Sequence, residues 1–517
     1  DGVNVAARIE GLAEPGGICI SRGVCDHVKK KLKLGFEYLG EHAVKNISEP
    51  VRVYKVLTSP EEIGRIIEER KTIPKYRRKF VFAVSVMVIL GIAVAILWNL
   101  YFRSPLTEVA SVENMAFPLP DKPSIAVLPF DNMSKDPDQD YFSDGLTEEI
   151  ITALSKVPKM FVIARNSTFT YKGKPVKVQQ VAEDLGVRYV LEGSVRKDKD
   201  KVRITVQLID ALTGHHLWAE RYDRDLKDIF AVQDEITMEI LSALEVRLTD
   251  GEQALLWKKG TNNLQVYLKF LQGGYYARNM NPENNFKARH IFEDVISQEL
   301  NYASAVRYLA VTHHNDVWLG TTKSPKESLR KAAALARKSI SIDASNGSAY
   351  GLLGHISILK KDWGKAIPLL YQAVELEPNG AISHMWLGLG LNFAGRPEEA
   401  IPILKKAIRL NPIAPAQYFN AMAIAYRMVG QYDKAIEYLE KGTQRYPNHL
   451  FSHLNLSACY ILAGREQEAY AEAKEVLRLN HKFSIDQFAK TLPLKNQKEK
   501  KRFIGALRKA FSVQSDS

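Results

Sequence analysis

Asn4 and Arg8 stand four residues apart in the opening stretch DGVNVAARIEGLAEPGG. On a helix that interval puts both side chains on one face. An amide beside a guanidinium suits an oxyanion or a transferring phosphoryl group, whose charge the guanidinium neutralises. The same spacing is also common on an ordinary polar helix surface. Ala6, Ala7, Arg8 and Leu12 favour the helix that must carry the pair, and Pro15-Gly16-Gly17 ends it. Ile18 to Ser21 then reads as a short apolar strand and Gly23 to Lys31 as a second helix. Phe36 to Leu39 and Val51 to Leu57 read as strands. Residues 1–58 are therefore expected to be an α/β piece.

The phrases DGVNVAARIEGLAEPGGICIS and LGEHAVKNISEPVRVYKV resemble the carboxy-terminal third of class III adenylate/guanylate cyclase catalytic domains. The resemblance implies that Asn4 orients the ribose and that Arg8 neutralises phosphate charge as ATP cyclises. It places Lys45, in AVKNI, near a triphosphate-contacting lysine; otherwise Lys45 is a surface strand residue. It implies Mg or Mn for the complete cyclase, ATP as substrate, and a homodimer whose active site draws on two chains. The metal-binding aspartates belong to a motif like F-x-D-I-x-G-F, which is absent from these residues, so no metal is assigned to this chain. The start at Asp1 is read as the middle of a domain, and the 517 residues by themselves are expected to be inactive.

Phe80 to Phe102 (FVFAVSVMVILGIAVAILWNLYF) contains no charged residue. A helix of that length matches the roughly 30 Å hydrocarbon core of a bilayer. Arg70, Lys71, Lys75, Arg77, Arg78 and Lys79 precede it, and the opposite flank is poor in cations. That asymmetry predicts a single-pass protein of the bacterial inner membrane, with 1–79 cytoplasmic and 103–517 extracytoplasmic. Residues 59–79 read as a basic juxtamembrane linker and 103–122 as an extended, proline-containing one.

Residues 123–250 read as a second α/β module. Ser124 to Phe130 and Phe161 to Ala164 are strands. Thr147 to Ser155, behind a turn at Asp144-Gly145, and Val178 to Leu185 are helices. Tyr189 to Arg196 and Val202 to Asp210 form a hairpin across DKDK. IAVLPFDNMSKDPDQDYFSDGLTEEI, VIARNSTFTYKGK, YVLEGSVRK and TGHHLWAERYDRDL resemble a module of many bacterial class III cyclases and the amino-terminal domain of TolB-like proteins. The adjacent His215 and His216 would point to opposite faces of a strand and do not chelate together. Asp131, Asp136, Asp138 and Asp140 lack the spacing of a calcium loop.

Residues 262–482 repeat. Ala366, Ala400, Ala435 and Ala469 recur at steps of 34, 35 and 34, and Pro378, Pro412 and Pro447 keep the same interval. That is the tetratricopeptide period. Units around Ala332 and Ala288 bring the count to about six, stacked into an all-α superhelix whose concave face takes peptides or proteins. Tyr350, Trp386, Tyr426 and Tyr460 read as repeat core. Residues 483–517 read as a capping helix and tail, its basic run Lys490 to Lys509 solvated. The expected fold is thus multidomain: a partial cyclase domain, one transmembrane helix, a TolB-like module and a tetratricopeptide superhelix.

Composition narrows the function classes. The chain is 46% hydrophobic and 25% charged, as folded domains are. Its net charge of +12 comes largely from the two basic runs, and no recognition motif accompanies them, so nucleic acid is not expected as a partner. Cys19, Cys25 and Cys459 form no disulfide framework. Two readings remain: a membrane-bound adenylate cyclase regulated through its binding modules, or a non-catalytic tetratricopeptide scaffold.

Overall fold

A computed structural model describes residues 2–43, 49–59, 61, 63–64, 66–67, 109–134, 136–256 and 260–512. The chain divides into two compact units, 1–106 and 107–517. The first carries α1 (Gly2–Ile9), β1 (Ile18–Ser21), α2 (Arg22–Val28), β2 (Gly35–His42), β3 (Val51–Leu57) and β4 (Ile66–Ile67). The strands are ordered β1-β3-β2-β4. Cys25, Phe36 and Val56 make its small core. Lys55 ties β3 to the turn after α1 through Glu14, at 2.5 Å.

The structure corrects the single-pass membrane assignment. Among the described residues no helix is long and apolar enough to cross a membrane. The stretch 80–102, on which that assignment rested, lies outside the described residues. The division into a cytoplasmic 1–79 and an extracytoplasmic 103–517 is therefore withdrawn.

In the second unit a six-stranded sheet is ordered β10-β9-β8-β5-β7, with β6 beside β8. Its strands are β5 (Ser124–Val127), β6 (Asp131–Asn132), β7 (Phe161–Val162), β8 (Tyr189–Asp198), β9 (Lys201–Asp210) and β10 (His215–Asp225). β5 runs parallel to β7 and β8, whereas β8, β9 and β10 form an antiparallel meander. Helices α3 (Asp140–Ser155), α4 (Arg165–Thr168), α5 (Val178–Leu185) and α6 (Ile229–Ala243) surround it. Phe142, Leu146, Ile150 and Leu154 of α3 and Ile229, Val232 and Ile236 of α6 bury one face of the sheet. Val181, Ala182 and Leu185 of α5 cover the other.

The expected turn at Asp144-Gly145 is instead the middle of α3, which starts seven residues earlier than Thr147. Gly145 is there for packing: a Cβ on it would lie 2.8 Å from the Leu271 side chain of a repeat helix. Residues 109–122, the described part of the extended linker expected over 103–122, are docked on the module. Ala110 donates to the Ala211 carbonyl at 2.7 Å and Ala116 to that of Glu183 at 2.9 Å.

After α7 (Asp250–Leu256) come six helix pairs: α8 (Leu264–Arg278) with α9 (Pro282–Gln298), α10 (Ala303–Trp318) with α11 (Pro325–Ile342), α12 (Gly347–Leu359) with α13 (Trp363–Leu376), α14 (Ala381–Ala394) with α15 (Pro397–Leu410), α16 (Ala416–Met428) with α17 (Tyr432–Arg445), and α18 (Leu450–Leu462) with α19 (Glu466–Leu479). Ala366, Ala400, Ala435 and Ala469 are fully buried between paired helices, where only a small side chain lets the axes approach. Gly395 closes α14 in the left-handed region, at φ 83°, and frees the chain to turn into α15. The final helices are α20 (Ile485–Thr491) and α21 (Gln497–Phe511). One apolar core runs from the sheet into the first two helix pairs through Phe270, Leu271, Phe292 and Tyr302, so module and repeats form a single packed body.

Candidate functional site

Asn4 and Arg8 both lie within α1. Arg8 is exposed. The side chain of Asn4, and all of Lys45, lie outside what the structure describes. Among the described residues no group of three or more His, Cys, Asp and Glu side chains is placed to hold a metal ion. The acidic loop is closed on itself instead. Asn132 donates to Asp140 at 2.9 Å, and Asp136 accepts from the Asp138 amide at 2.9 Å. His215 and His216 are exposed at the start of β10.

The repeats build a more elaborate site. The first helix of each of several pairs brings an aromatic or imidazole ring to a shared inner face. The Trp318 and His355 rings stack with centroids 6.3 Å apart, and His355 stacks on Trp386 at 5.1 Å. His314 accepts the Trp318 indole N–H at 3.1 Å. Trp318 also meets Phe451 edge-on at 6.5 Å. These two residues belong to the second and sixth pairs, so the array curls until those two pairs meet across the inner face. Trp318 nonetheless keeps 49% of its surface exposed. His355 is 8% exposed, and its Nδ1 has no hydrogen-bond partner among the described residues. Burial pushes the His355 imidazole down to about 3 and that of His314 down to about 4, so both rings are neutral at pH 7.

Two structures rim this face. Along one edge runs the carboxy-terminal segment, which reaches back across four pairs rather than capping the last alone. Trp363 donates to the Pro493 carbonyl at 3.1 Å, and the Lys495 amide donates to that of Phe393 at 2.8 Å. Arg427 of α16 makes a buried ion pair with Glu499 of α21. Phe503, Ile504 and Leu507 pack against Leu454 and Ala458 of α18. The basic run is therefore amphipathic and half covered, not solvated. Along the other edge the inter-pair turns meet the α/β module. Asn379 donates to the Val157 carbonyl at 3.0 Å, Ser167 to Asn411 at 2.6 Å, and Arg409 to the Leu185 carbonyl at 3.0 Å.

The module and the first pairs are also joined by charge. Glu148 of α3 accepts from Tyr308 at 3.0 Å and pairs with Arg165 at 3.2 Å and Arg278 at 2.5 Å. Its neighbour Glu149 faces Tyr267 and Tyr302, and burial, reinforced by Glu148, pushes its carboxyl up to about 7. A carboxyl raised in the folded state favours folding below its unfolded value, and that contribution is lost as pH rises through about 7. Glu149→Gln keeps the shape and removes the titration. It is expected to match the parent at pH 5 and to be more stable by about 2 kcal/mol at pH 8 in urea unfolding. Equal midpoints at both values would contradict the burial of this carboxyl. The signal in sequence was slight: two adjacent carboxylates in LTEEII on an otherwise apolar helix.

Comparison with known proteins bears on both parts of this body. A family model described as HilA/YgeH-like transcriptional regulator, second domain, matches residues 121–239. Two tetratricopeptide repeat models match 360–415 and 416–449. Putative adenylate cyclase 3 of Rhizobium meliloti is 40% identical over 353 residues, which is 68% of this chain and 52% of that protein. Transcriptional regulator HilA of Salmonella typhimurium is 22% identical over 366 residues, covering 69% of this chain and 64% of that one. The chain thus spans about half of the first relative and under two thirds of the second. Among solved structures, YrrB, a TPR protein with an unusual peptide-binding site, aligns at 19% identity and TM-score 0.28, over 39% of this chain and 98% of its own. The period of the sequence, the paired helices and the family models agree that this chain carries tetratricopeptide repeats.

Proposed function

We propose that this chain is the regulatory half of an adenylate cyclase, which converts ATP to cyclic AMP and pyrophosphate. In this reading residues 1–58 close a class III nucleotidyl cyclase domain. The TolB-like module at 123–250 and the repeats at 262–482 form one partner-binding body that sets the geometry of a catalytic homodimer. The observation that carries the reading is the 40% identity over 353 residues with a protein named Putative adenylate cyclase 3. The helix bearing Asn4 and Arg8 also supports it.

Within that reading Arg8 neutralises charge on the phosphorus as the ribose hydroxyl attacks, Asn4 holds the ribose, and Lys45 contacts the triphosphate. The Mg or Mn ions that such chemistry uses fit no group of described residues here. In the whole protein Arg8→Ala is expected to lower kcat for cyclic AMP formation about 100-fold, with partner binding to the repeats unchanged. Absence of cyclic AMP formation by the whole protein with Mg or Mn and ATP would remove the reading.

The alternative is a non-catalytic scaffold in which the repeats bind peptides or proteins. The similarity to HilA favours it: the module and repeats recur in a protein named as a transcriptional regulator. In that case the same assay yields no cyclic AMP while a partner is still captured by the repeats.

A further inference from the structure

β10 is the edge strand of the six-stranded sheet, and its outer side pairs with no described strand. It is 11 residues long, HHLWAERYDRD, and nearly every residue along it is exposed; Leu217 keeps 42% of its surface. A long open edge is a template for another strand. The charges along it read Glu220, Arg221, Tyr222, Asp223, Arg224. Reflected about Tyr222, this series complements itself: Arg221 falls opposite Asp223, and Glu220 opposite Arg224. Antiparallel pairing of two such strands about a two-fold axis makes each of these pairs twice. Opposite charges directly across a strand pair stabilise it, and like charges destabilise it.

A second observation lies at the same centre. Tyr222 is 3% exposed, and its hydroxyl has no hydrogen-bond partner among the described residues. The two-fold axis passes beside the Tyr222 backbone, with Glu220 and Arg224 of the second copy two positions to either side. Within one chain Asp223 already bonds Arg203 at 2.5 Å and Arg221 at 2.9 Å, and Arg224 lies 3.6 Å from Glu235. The charged groups are thus held in place at the edge before any partner arrives.

We propose that β10 pairs antiparallel with β10 of a second copy of this chain, centred on Tyr222, joining two sheets into one. This interface lies in the α/β module and stands whether or not the chain belongs to a cyclase.

The test is sedimentation of the full chain with charge-reversed variants at exposed positions. In a self-pair, Arg221→Glu sets the new carboxylate against the partner strand's native Asp223, and Asp223→Arg sets the new guanidinium against native Arg221. Each variant alone is expected to weaken self-association at least about tenfold. In an equimolar mixture one contact of the mixed dimer is the native Arg221–Asp223 pair and the other an ion pair of reversed polarity, so the mixed dimer is expected to exceed either self-pair. Circular dichroism checks that both variants fold. As a second readout, Arg221→Cys and Asp223→Cys chains, mixed and oxidised, are expected to form a disulfide-linked heterodimer that neither forms alone. A parent that stays monomeric at micromolar concentration, a dimer indifferent to both reversals, or cross-linking no greater in the mixture than in either variant alone overturns the proposal.

Discussion

Glu499→Ala is expected to release the carboxy-terminal segment and to lower stability by about 3–5 kcal/mol, because it strands a charge inside the protein. Arg427 is 2% exposed and Glu499 6%. The Glu499 carboxylate holds two guanidiniums, those of Arg427 and Arg502. The Arg427 guanidinium also lies over the Phe503 ring, 4.0 Å from its centroid. Removing the carboxylate leaves Arg427 either unpaired among apolar groups or hydrated by displacement of α21. The second route is open, since beyond its apolar face α21 is tied by exposed ion pairs, Arg508 to Asp486 at 2.9 Å and Lys509 to Glu466 at 2.5 Å, which hold weakly. The loss should therefore show first as tryptic cleavage around Lys495 to Lys501, and then as a lower urea midpoint. Adding Arg427→Met to Glu499→Ala should recover much of the loss, because two apolar side chains replace a broken pair. A protease pattern and midpoint identical to the parent would show that the pair holds nothing in place.

Acidification to pH 5.5 is expected to destabilise the repeat body by about 3 kcal/mol relative to pH 7.5. Burial holds His313, His314, His384 and His449 down to about 4 and His355 down to about 3. The unfolded chain titrates these imidazoles near pH 6.5. Their contribution is therefore complete above that value and is lost as pH falls toward 4. Each is worth at most about 1.4 kcal/mol per pH unit below 6.5, before allowance for water reaching the rings. Two groups act the other way. His453, bonded to Glu472 at 2.5 Å, is raised, so its contribution is present at low pH and lost as pH rises. Glu149 has the same sign. His355→Phe retains the stack between Trp318 and Trp386 and should flatten the profile by about one histidine's share. The measurement is the urea midpoint at pH 7.5, 6.5 and 5.5. A profile flat across that range would mean that these rings exchange with water freely.

Periodicity made the helix pairs legible. A repeat of 34 or 35 residues keeps Ala366, Ala400, Ala435 and Ala469 at one contact, and no long-range information is needed to see it. The strands of the first unit were legible for a similar local reason, since VRVYKVL alternates and Pro15-Gly16-Gly17 breaks a helix. β10 and α6 escaped that reading. β10 is exposed on nearly all its length, so HHLWAERYDRD carries no alternation of apolar and polar residues. Gly145 misled because glycine is ambiguous. It marks a turn by backbone freedom, or a helix contact by lacking a Cβ, and only the position of Leu271 decides between them.

At the candidate sites the division is sharper. The sequence by itself determined the repeat period, the small contact residues, the Asn4 and Arg8 interval and the runs of charge, because these are properties of neighbours along the chain. Only the tertiary structure decided where distant groups meet. It decided that Trp318 reaches Phe451, that Arg427 is neutralised by Glu499, that the segment 483–511 lies back across four helix pairs, and that the α/β module shares its core with the first repeats. Each depends on the curl of the superhelix, which accumulates from small rotations at every pair. No local pattern of residues states that sum, so no side chain in it announces its partner in advance.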